Sequence, residues 1–84
     1  MLVYHTDPGH GWLQISPDML KDVGIEHSIS RYSYEGYGCI FLEEDCDMPK
    51  FFNAYYSKYG VIPSYTEENY NEDCFIRELE PYFC

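Results

Sequence analysis

Met48-Pro49-Lys50-Phe51-Phe52-Asn53-Ala54-Tyr55-Tyr56-Ser57-Lys58-Tyr59 carries the clearest periodicity in the chain. Its large side chains, Met48, Phe51, Phe52, Tyr55, Tyr56 and Tyr59, fall at i, i+3, i+4, i+7, i+8 and i+11, the spacing that collects one face of an α-helix. Asp47 stands where an N-cap belongs, and Pro49 lies in the first turn, where a missing N–H is harmless. Lys58 sits near the negative end of the helix dipole, and Gly60 followed by Pro63 stops the helix. Such a helix needs an apolar surface to cover, so Met48, Phe51, Phe52 and Tyr55 are expected to pack on Ile40, Leu42, Leu13 and Ile15 of a sheet.

The strands that would build this sheet flank the helix on its N-terminal side. Cys39-Ile40-Phe41-Leu42-Glu43 is a short continuous apolar run, predicting burial on both faces, by a helix on one side and tyrosines on the other. From Ile29 to Tyr34 serines alternate with larger residues, and Glu35-Gly36-Tyr37-Gly38 reads as the turn of a hairpin. An earlier hairpin joins Leu2-Val3-Tyr4-His5 to Trp12-Leu13-Gln14-Ile15. Its loop, Asp7-Pro8-Gly9-His10, has Pro and Gly where a type II turn wants them and is expected to be wide. Ser16, Pro17 and the apolar Met19, Leu20 and Val23 mark a short helix closed by Gly24, with Ile25 folding back on Leu20. Residues 64–70 read as extended or irregular, and Asn71 is placed to cap a last short helix carrying Phe75, Ile76 and Leu79. The expected architecture is α+β: an antiparallel sheet from two hairpins packed against one main amphipathic helix, with short additional helices, in a single domain over 1–84.

Charge sets the limits on function. Fifteen acidic residues against five basic ones give a formal net charge of -10, alongside ten tyrosines. Such a surface repels nucleic acid and attracts basic proteins, and five cations are too few to neutralise a run of phosphates. Direct nucleic-acid binding is therefore not expected. The aromatic content exceeds that of a disordered acidic tail. The sequence has no apolar run long enough for a membrane span and no signal-peptide pattern, giving the expectation of a cytoplasmic protein with reduced thiols at Cys39, Cys46, Cys74 and Cys84.

No complete catalytic or cofactor motif is readable, and no cofactor or metal is assigned. Glu43-Glu44-Asp45-Cys46-Asp47 holds four carboxylates in five residues. The alternating ligands and central glycine of a calcium loop are absent, and a helix start needs only one or two acids. The surplus leaves a solvated face or a binding patch. Glu67, Glu68, Glu72 and Asp73 form a second acidic group, and Tyr37, Tyr65 and Tyr70 are candidates for apolar contact area beside them. The competing chemistry lies in His5, Asp7 and His10 around the first turn, which would serve a small metal-dependent or Cys/His hydrolase if the loop folded over itself. Cys39 reads as a small core residue, and Cys46 lies among carboxylates that would raise its thiol pKa.

Tyr4-His5-Thr6-Asp7-Pro8-Gly9-His10-Gly11-Trp12-Leu13, together with Ser30-Arg31-Tyr32-Ser33-Tyr34 and Leu42-Glu43-Glu44-Asp45-Cys46-Asp47, resembles small uncharacterised proteins encoded by bacteriophages and prophages. The likeness covers about the first half of the chain and brings no site residues with it. It implies an accessory protein acting on a host component, with the nucleic-acid mimicry of anti-restriction and anti-CRISPR proteins as an analogy. The expectation is a non-enzymatic protein that blocks the basic, nucleic-acid-binding surface of a host protein through Glu43, Glu44, Asp45, Asp47, Glu67, Glu68, Glu72 and Asp73, with Tyr37, Tyr65 and Tyr70 adding contact area.

Overall fold

The computed structural model describes residues 2–83 and has the α+β architecture. The first hairpin forms as read, β1 (Leu2–Thr6) pairing antiparallel with β2 (Gly11–Ile15). β2 pairs antiparallel with β4 (Cys39–Glu43), which takes β3 (Tyr34–Gly36) on its other side. A two-residue strand β6 (Glu80–Pro81) closes that edge against β3. The sheet is mixed rather than wholly antiparallel, because β5 (Tyr65–Asn69) joins β1 in parallel, giving the order β5-β1-β2-β4-β3-β6. This segment has no apolar alternation. It pairs through its backbone, and all five of its residues are exposed.

The alternation of β4 sorts its side chains to two different layers. Ile40 and Leu42 join Leu2, Leu13, Ile15, Leu20 and Tyr82 under α2 (Met48–Tyr59), whose Met48 and Phe51 enter the same cluster while Phe52 and Tyr55 flank it. Phe41 faces the other side, with Trp12, Cys74 and Ile76, and Tyr34, Cys39 and Tyr70 packed around them. The helix covers one face as expected; the other is covered by Trp12, Cys74 and Ile76, with Tyr34 and Tyr70 only at its margin. Helix α1 (Pro17–Asp22) starts at Ser16, whose Oγ accepts from Met19 N at 3.2 Å, and Gly24 follows it at φ 76° with Ile25 N bonded to Leu20 O. Gly60 ends α2 at φ 75°.

Four local expectations are corrected by side-chain hydrogen bonds or turn geometry. Residues 29–33 turn instead of extending, because Ser30 and Ser33 donate to the Asp47 carboxylate and bend the segment around it. The hairpin reversal is therefore the pair Tyr37-Gly38, at φ 53° and 74°, the left-handed values of a two-residue type I′ turn. In the first loop no type II geometry forms, since Gly9 lacks a positive φ; Asp7 Oδ1 instead accepts from Gly9 N and His10 N, both at 2.9 Å. The last helix is a single 3-10 turn, Phe75–Glu78, capped by Cys74 rather than Asn71, and Asp7 Oδ2 anchors Cys74 N at 2.9 Å.

Candidate functional site

The sheet has one acidic end. β1, β4 and β5 finish there with Thr6, Glu43 and Asn69, and β2 begins there with Gly11. The loops leaving these strand ends carry His10, then Glu44 and Asp45, then Glu72 and Asp73, so residues far apart in sequence share one rim. Tyr4 links two of the acidic groups. Its hydroxyl donates to Glu44 Oε2 at 2.7 Å, and its backbone pairs with Glu67. Burial, the hydrogen bond to Glu44, and the charges of Glu44 and Glu67 together hold that phenol proton well above the ordinary tyrosine range. Gly11 lets the Tyr4 ring pass, since a Cβ there would stand 2.6 Å from Tyr4 Cζ.

The acidic run 43–47 divides by role. Asp47 is fully buried and does not cap α2: its side chain accepts from Ser30 N, Ser30 Oγ and Ser33 Oγ, and Lys50 Nζ stands 3.4 Å away. Its placement removes it from any partner-binding surface. Glu43 is also buried, at 6% exposure, and its Oε1 accepts from Asp45 N and Cys46 N at 3.0 and 2.9 Å. Glu44 is half-buried and Asp45 exposed. Glu67, Glu68, Glu72 and Asp73 are all exposed, with Asp73 3.8 Å from Arg77.

The three tyrosines part company. Tyr70 lies at the acidic end, with its hydroxyl 2.9 Å from His5 Nδ1. Tyr65 begins β5 at the opposite end and stacks on Phe52, ring centroids 6.1 Å apart. Tyr37 occupies the hairpin turn at that opposite end too and leans on Phe75.

His5, Asp7 and His10 do not converge on a common centre. His5 is buried, and an Nε2-protonated imidazole satisfies both its neighbours, donating to Gln14 Oε1 at 2.7 Å and accepting from the Tyr70 hydroxyl. Asp7 is held by Arg77 through Nε at 2.6 Å and Nη2 at 2.8 Å. That guanidinium, with the N–H groups of Cys74, His10 and Gly9, keeps the carboxyl well below the usual range against the opposing effect of burial. His10 turns toward the acids instead: Nδ1 lies 3.4 Å from Glu43 Oε2 and 3.9 Å from Glu44 Oε1.

Beside His10 opens a cavity of about 550 Å³, which sequence reasoning missed. Trp12 and Tyr34 form its aromatic wall, Arg31 and Arg77 bring cations, and Glu43 and Asp45 bring carboxylates. The Arg77 guanidinium lies 5.2 Å from the Trp12 ring centroid, and the buried indole Nε1 has no hydrogen-bond partner among the described residues. Cys46 borders the same space with its thiol pKa raised, by burial first and then by the Glu43 charge, which makes it a poor nucleophile. The cysteines described, Cys39, Cys46 and Cys74, are free thiols, and Cys84 lies outside the described residues. No helix among the described residues is long and apolar enough to cross a membrane. Comparison with known proteins adds no relative to this geometry: no family model, no curated protein and no solved structure matches the chain.

Proposed function

We propose that the chain is a non-enzymatic, acidic accessory protein of phage type that docks its acidic sheet end on a basic, nucleic-acid-binding surface of a host protein and occludes it. The observation that supports this is the shared end of β1, β4 and β5, whose loops carry Glu44, Asp45, Glu72 and Asp73, with Glu67 and Glu68 on the two faces of the exposed edge strand β5 that leads to it. Carboxylates drawn together from two loops and an edge strand give a local field stronger than the same charges scattered, and that field steers a cationic partner. Tyr70, at the same end, supplies apolar area, and Glu43 and Asp47 hold the loop in shape from below. The reaction is association alone, with no bond made or broken.

The test neutralises the rim while sparing the buried acids. A variant carrying Glu44→Gln, Asp45→Asn, Glu67→Gln, Glu68→Gln, Glu72→Gln and Asp73→Asn is compared with the parent against a partner purified from host extract, in the presence of a chelator. The variant should keep the parent's circular dichroism, associate about tenfold or more slowly, and lose most of its salt dependence. An unchanged on-rate and salt slope in the folded variant would overturn the proposal and make the charge a solubility device.

A further inference from the structure

One side of the β5 backbone is open. Tyr70 N donates to Thr6 O at 2.7 Å, while Asp7 N bonds to His10 O at 2.9 Å on the β2 side of β1. Backbone direction alternates along a strand, so the even-numbered residues of β1 turn to β5 and are met by Thr66, Glu68 and Tyr70. Tyr65, Glu67 and Asn69 therefore aim their N–H and C=O groups outward, past the last strand in the sheet order, where no backbone partner stands among the described residues. The opposite edge is guarded differently. β6 has two residues, one of them Pro81, which has no N–H to give. β5 has five, with an unbroken register and neither proline nor lysine, and all five are exposed.

Charge alone guards this edge, and its sign selects what can add there. Tyr65 stacks on Phe52 of α2, so Glu67 lies on the helix face of the sheet and Glu68 on the other. An added strand meets a carboxylate on each face. A second copy is repelled, because antiparallel pairing centred on Glu67 sets that residue against itself, on a chain of net charge -10. A cationic strand is attracted by the same two side chains. We infer that the open edge of β5 takes an extended basic segment of the partner as a further strand: the backbone of Tyr65, Glu67 and Asn69 supplies the hydrogen bonds, and Glu67 and Glu68 select adjacent Lys or Arg side chains. This deepens the docking reading and rests on it, since charge brings the partner to the acidic end and the edge fixes the shape of the segment held.

The probe is a capped synthetic peptide repeating Thr-Lys-Lys-Thr, added to the full chain and followed by amide hydrogen exchange. Exchange at Tyr65, Glu67 and Asn69 should slow by about tenfold or more, while Thr66, Glu68 and Tyr70, already bonded to β1, should change little. Glu67→Gln and Glu67→Pro remove the same charge, but only proline removes an outward N–H, so Glu67→Pro should bind the peptide about fivefold or more weakly than Glu67→Gln. The exchange pattern of the parent decides the matter even if the proline variant unfolds. A twin peptide of the same charge, methylated at every backbone nitrogen, should lose most of the binding. Failure of the peptide to bind, binding that leaves those three amides exchanging as before, or equal binding of the methylated twin would overturn strand addition. Docking by charge would still stand in each case, because it falls only if the folded rim variant meets the purified partner unchanged.

Discussion

Asp47 and Asp7 are acidic residues in an acidic protein, yet neither serves its surface. Asp47 gathers two serine hydroxyls and a backbone N–H into one buried node, so Asp47→Ala strands three donors. The expected loss is about 3 kcal/mol, read as a lower urea midpoint at unchanged slope. Asp7 ties the first loop to Arg77 and Cys74, residues at the other end of the sequence. Because its folded pKa is depressed, its stabilisation is present above the unfolded value of about 4 and is lost as pH falls below it. Asp7→Asn should therefore cost about 2 kcal/mol at pH 7, and the gap from the parent should narrow steadily toward pH 2 in denaturant titrations. Sequence could name every acid in the run 43–47 but could not divide them, since Asp47 is held by serines 14 or more positions away and Glu43 faces His10 from a different loop. The turn of His10 toward that run, and away from His5, was hidden for the same reason.

The elements that were legible are those whose signals are local. Periodicity marked α2, Ser16-Pro17 and Gly24 framed α1, and the apolar run 39–42 showed a strand with two buried faces. β5 was not legible as a strand, because Tyr65-Thr66-Glu67-Glu68-Asn69 has no apolar alternation and chooses a partner at the far end of the chain. Within α2 the helical phase separates two adjacent phenylalanines: Phe51 is fully buried, whereas Phe52 lies at the rim of the core under Tyr65. The large penalty thus belongs to Phe51. Phe51→Ala should cost about 3–5 kcal/mol and Phe52→Ala clearly less, an order that thermal or urea melts of the pair will check.

For the molecule as a whole, a net charge of -10 makes compactness costly in dilute buffer. Raising salt from about 0.01 M to about 0.15 M shortens the Debye length from roughly 30 Å to roughly 8 Å, so the melting temperature should rise across that interval. A fall would mean that ion pairs such as Asp7–Arg77 outweigh the repulsion. The parallel pairing of β5 with β1 also has a temporal side. Thr6 and Asn69, partners across that ladder, are 63 residues apart, so β1 is translated long before the strand that covers its outer edge. Ladders between such distant segments demand a large loop-closure entropy before any contact rewards it. The nascent chain must carry an uncovered β1 edge through most of its synthesis, and a ribosome-stalled fragment ending before Tyr65 should be held by chaperones or aggregate, while one extended past Tyr82 should resist protease.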